Sequence, residues 1–453
     1  MVDLNLLGAK VYLPWGLFDG GVSIDEGRIV KVGKEAHLPE SSRVENLNGL
    51  VLLPGLIDAH VHLRDLELAF KEDFHTGTCA AAAGGFTTVL DMPNTKPMTD
   101  SREHLKEKMA TASSKIIVNV GFYASFPADL RLMTDLAVEG AIAFKGHLHK
   151  DWSKLDLSSG EVLSAVASEA TRLGKVVAFH AEDKATVKSM EERLKAEGRR
   201  NPEDYLAAHS VEAEVKAVTH ILRSISRRVR VHICHVSSTS SLELVMDARV
   251  RGFKVTCEVT PHHLFLTDAT LKRLRGFALT APPVRNTEEA QGLWRALQSG
   301  SVDILVSDHA PHTLEDKNHP DIWEISPGIP GLETTLPLLL TKIRQGEFTL
   351  ADLVRTLAQR PAEIFKLERK GKIWQGYDAD LTAIDTTREH KIDTASFYSK
   401  AKFSPFEGWK AEGKAVRTYV AGKLVMEDGA ILGKGGVGSI LKGGTLHTPG
   451  GFV

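Results

Sequence analysis

The chain has 453 residues, 42% of them hydrophobic, so it can form a large core without disulfide support. Its 56 Lys and Arg residues nearly balance its 58 Asp and Glu residues, and the formal net charge is −2. This balance argues against nucleic acid and anionic membranes as partners and favours small molecules. The 3 cysteines form no CxxC pair, and no apolar run reaches the length of a membrane helix. We therefore expect a cytoplasmic protein.

The first part of the chain is rich in short β segments. Residues 21–24 and 28–32 flank a tight turn and predict a hairpin within residues 1–52. From residue 53 onwards the pattern changes to short Val/Ile/Leu-rich runs, each followed by a helix-like stretch. This alternation is typical of buried parallel strands joined by crossover helices.

Eight apolar runs predict the strands of the second region. They are centred near Ile57, Val89, Ile117, Ala143, Val177, His232, Val255 and Leu305. Eight parallel βα units predict the α/β class and a (β/α)8 TIM barrel over residues 53–369. A doubly wound open sheet is the alternative architecture.

β-like sequence resumes after the barrel region. We expect residues 370–430 to join residues 1–52 in one small β-sandwich-like domain. Residues 431–453 contain many glycines, which predicts a flexible tail.

The clearest chemical signal is an HxH motif, His60-Val61-His62, at the end of the first predicted barrel strand. Residues two apart in a strand project from the same face, so both imidazoles can bind one metal ion. HxH is a weak pattern alone, because the sequence contains 19 histidines. Two ordinary histidines remain the alternative at this point.

Further metal-type residues fall at the ends of other predicted strands, namely Lys145, His180, His235 and Asp308. In a barrel these ends share the face that holds the active site. Four imidazoles and a carboxylate suit Zn²⁺ better than Ca²⁺ or Mg²⁺. A buried Lys145 beside cations would be repelled as an ammonium, whereas its CO₂-derived carbamate could bridge two ions. We therefore predict two Zn²⁺ ions per subunit and a residual positive charge that favours a carboxylate ligand.

Five segments are distinctive: residues 55–64, 91–95, 257–263, 307–312 and 402–408. Together they resemble the corresponding segments of the dihydroorotases in the cyclic amidohydrolase superfamily, over about residues 45–425. The resemblance implies that His60, His62 and Asp308 hold the more buried ion, that His180 and His235 hold the more exposed one, and that carboxylated Lys145 bridges both ions with a hydroxide.

The resemblance also implies an activity. The reaction would be the reversible hydrolysis of (S)-dihydroorotate to N-carbamoyl-L-aspartate, a step of de novo pyrimidine biosynthesis. Asp308 would be the catalytic residue, taking a proton from the nucleophile and passing it to the departing nitrogen. A homo-oligomer and an association with aspartate transcarbamoylase are both compatible with this interpretation, and the sequence does not decide between them.

Substrate recognition is expected to involve Arg64, Asn94 and His312. Arg64 lies two residues beyond His62, and its guanidinium could bind a carboxylate through two hydrogen bonds. The resemblance assigns this position to the ring carboxylate and assigns Asn94 and His312 to neighbouring contacts. Hydantoinases, dihydropyrimidinases and allantoinases are the alternative enzymes, although they generally lack this Arg and Asn combination. A non-catalytic scaffold homologue is the alternative from another class.

Four other histidines lie near these motifs. His147 and His149 follow Lys145 closely and could be additional metal ligands, although ordinary loop histidines are the simpler interpretation. We expect His262 and His263 to pack beside the site or orient its ligands.

Overall fold

The computed structural model describes residues 1–150 and 152–444. Its strands are β1 (Val2–Leu13), β2 (Gly16–Asp25), β3 (Arg28–Gly33), β4 (Ser41–Asn46), β5 (Val51–Pro54), β6 (Leu56–Val61), β7 (Phe86–Asp91), β8 (Asn119–Ala124), β9 (Ala143–His147), β10 (Val176–His180), β11 (Arg230–Ile233), β12 (Lys254–Val259), β13 (Ile304–Leu305), β14 (Leu381–Lys391), β15 (Lys410–Val420), β16 (Lys423–Glu427), β17 (Ala430–Ile431) and β18 (Ile440–Leu441).

The α-helices follow the barrel strands for the most part. They are α1 (Phe74–Ala83), α2 (Arg102–Ser113), α3 (Met133–Glu139), α4 (Gly160–Arg172), α5 (Lys184–Ala196), α6 (Pro202–Ala208), α7 (Val211–Ser224), α8 (Thr239–Val250), α9 (Pro261–Phe265), α10 (Asp268–Leu274), α11 (Thr287–Gln298), α12 (Leu314–Lys317), α13 (Leu332–Arg344), α14 (Leu350–Val354) and α15 (Arg360–Ile364). None of these helices combines the length and the apolar composition needed to cross a membrane.

Strands β6 to β13 form a parallel sheet in which sequence neighbours are also spatial neighbours. A parallel bridge between Val61 and His309 brings the two edges of this sheet together. The predicted (β/α)8 TIM barrel is therefore confirmed, and the open doubly wound sheet is wrong. Seven of the eight predicted strand centres lie within these strands, and Ile117 lies two residues before β8.

The outer helices show why the sequence folds in this way. Helix α7 begins after Ser210, whose side chain accepts a hydrogen bond from the Ala213 amide. Its buried residues include Val218, Ile221 and Leu222, which follow the helical repeat and form one apolar face. Burial of such faces against the strands encloses the barrel.

The second sheet unites both ends of the chain, as predicted. Its order is β17-β16-β15-β14-β5-β1-β2-β3, with β4 paired to β1. The predicted hairpin is confirmed as the antiparallel pair β2 and β3. Strand β5 continues this sheet to Pro54, just past the predicted boundary at residue 52. The division into residues 1–52 with 370–430, 53–369 and 431–453 remains our proposal.

The glycine-rich segment differs in part from the predicted flexible tail. Ile440 and Leu441 pair in parallel with Val120 and Gly121 of β8. A Cβ atom on Gly438 would lie 2.1 Å from the Val118 carbonyl oxygen, so glycine permits this close approach. These two apolar residues supply a strand that composition alone does not reveal. Residues 445–453 of the predicted tail lie outside the described residues.

Candidate active site

The six predicted metal ligands lie together at the carboxyl end of the barrel. His60 is in β6 and His62 directly follows it, Lys145 is in β9, His180 ends β10, His235 follows β11 and Asp308 follows β13. All six are buried, with Asp308 the most accessible at 9%. The parallel topology explains this convergence, because every strand delivers its carboxyl end to the same face.

The ligand atoms form two adjoining groups. Asp308 Oδ1 lies 3.3 Å from His60 Nε2 and 3.2 Å from His62 Nε2. His180 Nδ1 lies 3.1 Å from His235 Nε2. Ligand atoms of His60, His235 and Asp308 all lie within 4.8 Å of one another, which connects the two groups.

Three of the histidines are oriented by an oxygen on their outer side. The contacts are His60 Nδ1 to Glu258 Oε1 (2.5 Å), His62 Nδ1 to Asn94 Oδ1 (2.6 Å) and His180 Nε2 to Glu182 Oε2 (2.6 Å). Because the outer nitrogen donates its proton to oxygen, the inner nitrogen is left with a lone pair directed at the site. Histidines that bind metals are commonly oriented in this way.

The charge states also suit a metal site. Burial lowers the pKa of His62 to about 3 and holds the pKa of His235 well below its usual value. Burial alone would raise the pKa of Asp308, but His60, His62 and His235 outweigh it and hold that pKa well below its usual value. The site therefore offers neutral imidazoles and an ionised carboxylate near neutral pH.

A binuclear metal site fits these residues. The 3.1 Å between the facing His180 and His235 nitrogens is close to the roughly 3.3 Å expected for two ligands of one tetrahedral Zn²⁺ ion.

Lys145 is a buried lysine without a carboxylate partner in the described part of the chain. Its side chain is buried, and Nζ lies 2.7 Å from Cys234 Sγ. Burial raises the pKa of the Cys234 thiol, so the sulfur offers no negative charge near neutral pH. Within residues 1–150 and 152–444 no carboxylate oxygen lies within 4.0 Å of Nζ. An uncompensated buried ammonium is costly, and carboxylation would remove that cost.

Arg64 is a buried cation at the edge of the same site. Its side chain points toward His312, with 3.2 Å between Nη2 and His312 Nε2, and Nε lies 3.4 Å from the Pro311 carbonyl oxygen. Burial lowers the pKa of Arg64 to about 10, so it stays charged at neutral pH. In the described part of the chain, no carboxylate lies within 4.0 Å of its guanidinium.

His312 and Asn94, the other two predicted substrate contacts, have different neighbours. His312 Nε2 is 3.1 Å from the Pro327 carbonyl oxygen and His312 Nδ1 is 3.1 Å from Lys71 Nζ, so this ring is oriented beside Arg64. Asn94 uses its side-chain oxygen to orient His62. The structure thus brings Arg64 and His312 together and places Asn94 in contact with the predicted metal ligand His62.

Several site residues were missed by sequence reasoning. Glu258 contacts both His60 and His232, and Asp58 accepts hydrogen bonds from the His60 and Ser307 amides. Both are charged residues within otherwise buried strands, a signal that could have been used.

Three neighbouring histidines differ in their contacts. The His147 ring stacks on the His180 ring at 3.7 Å between centroids. His263 is buried, with Nδ1 2.8 Å from Thr260 Oγ1 and Nε2 3.1 Å from the Pro282 carbonyl oxygen. His262 Nε2 is buried without a described partner.

Comparisons with known proteins agree with this geometry. A model of the amidohydrolase family matches residues 51–425. A dihydroorotase of Methanothermobacter thermautotrophicus is 40% identical over 95% of this chain and 96% of its own length. A dihydroorotase of Bacillus cytotoxicus is 36% identical over 89% of this chain and 93% of its own length. Among solved structures, the L-hydantoinase of Arthrobacter aurescens has a TM-score of 0.93 and 30% identity, covering 98% of this chain and 100% of its own.

A (β/α)8 barrel with histidines and a carboxylate at its strand ends defines a class of hydrolases that act through bound metal ions. The chain belongs to the amidohydrolase family. Within that family, its similar relatives from archaea and bacteria are dihydroorotases.

Proposed function

We propose that this chain is a zinc-dependent dihydroorotase, which catalyses the reversible hydrolysis of (S)-dihydroorotate to N-carbamoyl-L-aspartate. The similarity to dihydroorotases over nearly the whole chain supports this activity. The single observation that carries the proposal is Arg64, a buried guanidinium without a carboxylate partner beside the metal ligands. Dihydroorotate bears a ring carboxylate that would supply the missing partner.

Recognition of the substrate follows from the position of Arg64. A guanidinium binds a carboxylate through two parallel hydrogen bonds, which fixes the orientation of the ring as well as its charge. His312 lies against this guanidinium and is itself oriented by Pro327 and Lys71. The bound ring would then place its cyclic amide over the histidine cluster.

The metal ions would be held by His60, His62, His180, His235, Asp308 and carboxylated Lys145. Two bound Zn²⁺ ions would lower the pKa of a water molecule and so supply a nucleophile near neutral pH. Asp308 is ionised and lies at the centre of the site, so it can accept the proton of the attacking water. The same carboxyl group can then donate that proton to the amide nitrogen as the ring opens.

Trp152, in the segment after β9, lies beside this site, and we propose that its ring helps to exclude water. The Trp152 ring lies 6.2 Å from the His62 ring and 4.8 Å from the His147 ring. The backbone carbonyl oxygen of Trp152 accepts a hydrogen bond from Ser125 Oγ at 3.0 Å. Exclusion of water strengthens the contact between Arg64 and the substrate carboxylate.

The decisive experiment compares substrates and an Arg64 variant. The purified protein should hydrolyse dihydroorotate in preference to hydantoin and allantoin. Arg64→Met should raise KM for dihydroorotate on the order of 100-fold, because a charge-assisted bidentate contact is lost, and should leave metal content unchanged. Arg131→Met, at an exposed residue, is the matched control and should behave as wild type.

Other outcomes would favour the alternatives. Preferred hydrolysis of hydantoin or allantoin would replace the proposal with the activity of the structurally similar L-hydantoinase or of an allantoinase. Absence of turnover with all three substrates, in protein reconstituted with zinc and bicarbonate, would indicate a scaffold protein.

We also propose a cytoplasmic location and self-association. Cys79, Cys234 and Cys257 are free and buried, which suits a reducing compartment. Light scattering would determine the oligomeric state, and co-purification with aspartate transcarbamoylase would test an association with that enzyme.

A further inference from the structure

A second cluster of metal-type side chains lies beside the active site and is not needed for the proposed reaction. It comprises His149 in the segment between β9 and α4, Glu182 two residues after β10, and His209 at the end of α6. One potential ligand atom from each of these residues lies within 4.8 Å of the other two. Three separate elements therefore converge on one point.

The contacts in this cluster leave one imidazole nitrogen, Nδ1 of His149, without a hydrogen-bond partner among the described residues. Glu182 Oε1 lies 2.7 Å from His209 Nδ1, and Glu182 Oε2 lies 2.6 Å from His180 Nε2. The His149 and His209 rings are nearly perpendicular, with centroids 5.2 Å apart. His149 Nδ1 is buried and has no hydrogen-bond partner among the described residues. A buried polar nitrogen without a partner is costly, and a metal ion would satisfy it.

We propose that His149, Glu182 and His209 bind a further divalent metal ion of the zinc class, separate from the two ions of the active site. Two imidazoles and one carboxylate form a familiar zinc ligand set that leaves a fourth position for water. The ion would take the place of the proton shared by His209 and Glu182. Bonds of about 2.0 to 2.2 Å require His149 to move toward the other two ligands by roughly 1 Å.

The surroundings support a metal ligand role for His209. Its Nε2 lies 3.3 Å from Glu191 Oε1, so a carboxylate orients the ring from the side opposite Glu182. Tyr205 stacks on the same ring at 4.0 Å between centroids. An oriented imidazole with an outer carboxylate is the usual arrangement of a zinc-binding histidine.

Binding at this site would also connect separate parts of the active-site end. His149 lies in the same segment as Trp152, whose ring is 6.2 Å from the His62 ring, and Glu182 contacts the predicted metal ligand His180. An ion at this position would therefore tie that segment to the barrel. The inference does not depend on which cyclic amide is the substrate.

Metal stoichiometry tests the proposal. The full chain is stripped of metal and then reconstituted with Zn²⁺ and bicarbonate. Gel filtration removes excess ion, and the zinc content per chain is measured by elemental mass spectrometry. We expect three zinc ions per chain in the wild type and two in His149→Ala. The matched control His319→Ala, at an exposed residue, should keep three. Equal zinc content in the wild type and His149→Ala would overturn the proposal.

Cobalt substitution gives a second readout that does not depend on activity. Co²⁺ bound to the new site should contribute visible absorption that is lost in His149→Ala and kept in His60→Ala, which removes an active-site ligand instead. An identical spectrum in the wild type and His149→Ala would argue against the site. His149→Gln provides a conservative variant if the alanine variant misfolds, and it too should lose one ion.

Discussion

Glu258 Oε1 lies 2.5 Å from His60 Nδ1 inside the barrel, and the second oxygen of Glu258 lies 2.9 Å from His232 Nε2. This carboxylate fixes the ring orientation of a predicted metal ligand from β12, which lies two strands away from β6 around the closed barrel. Burial alone would raise the pKa of Glu258, but His60 and His232 hold that pKa well below its usual value. Glu258 is therefore an ionised acceptor that increases the basicity of His60.

The first prediction concerns this contact. Glu258→Gln should lower zinc affinity at the active site by about 10- to 100-fold, because the amide is a weaker acceptor for the His60 proton. Competition with a chelator of known affinity measures the change. Glu243→Gln, at an exposed position in α8, should leave zinc affinity unchanged. Equal affinities in both variants would show that Glu258 does not tune the ligand.

The second prediction concerns Lys145. Lys145→Ala should lower kcat by more than about 100-fold, since the variant lacks the proposed bridging carbamate. Acetate or propionate should restore part of the activity by occupying the vacated space. Lys188→Ala, on an exposed side chain, should retain activity and show no response to these acids. Full activity of Lys145→Ala would refute the carbamate.

The third prediction concerns pH and the stability of the metal-free protein. The folded-state pKa of His62 is lowered to about 3 from an ordinary value of 6.5, so the unfolded chain takes up a proton first as the pH falls. The folded state therefore keeps its full stability with respect to His62 above pH 6.5. That stability falls progressively as the pH drops from 6.5 toward the folded-state pKa of about 3. His62 alone should lower the free energy of unfolding by about 2 kcal/mol between pH 7 and 5.

Chemical denaturation across this pH range measures the effect. His235 and His147 are also buried with lowered pKa values, so they add to the loss in the same direction. In His62→Gln the slope of unfolding free energy against pH should be smaller. A slope equal to that of the wild type would contradict the assignment of a neutral His62.

The fourth prediction concerns a buried ion pair beneath the site. Lys108 Nζ lies 2.7 Å from Asp91 Oδ2, and neither side chain is exposed. Asp91 Oδ1 accepts a hydrogen bond at 2.7 Å from the amide of Leu63, next to His62. Lys108→Met would leave the Asp91 carboxylate unpaired and should cost about 3 to 5 kcal/mol in unfolding free energy.

Urea denaturation of a double-mutant series tests this pair. Asp91→Asn added to Lys108→Met should recover part of the lost stability, because the unpaired charge is removed. Lys106→Met, on an exposed side chain of the same helix α2, should change stability by less than about 0.5 kcal/mol. A small loss in Lys108→Met would show that Asp91 is compensated elsewhere.

Much of the fold could be predicted because its signals are local. Alternating apolar runs and helical stretches identified the barrel, and parallel strands necessarily bring their carboxyl ends to one face. His60, His180 and Asp308 could therefore be grouped before any contact was known. The glycine-rich segment was predicted less well, because Ile440 pairs with Val120 in the first half of β8, more than 300 residues away, where β8 is not yet paired with β9.

The sequence by itself determined the eight-stranded architecture, the histidine-rich end of the barrel and the residues that could carry its chemistry. Only the tertiary structure showed that Glu258 orients His60 across 198 residues, that Arg64 meets His312 across 248, and that His149, Glu182 and His209 converge. The physical reason is that periodicity and strand direction are properties of neighbouring residues. Hydrogen bonds between distant side chains depend on packing and rotamers that exist only in the folded chain.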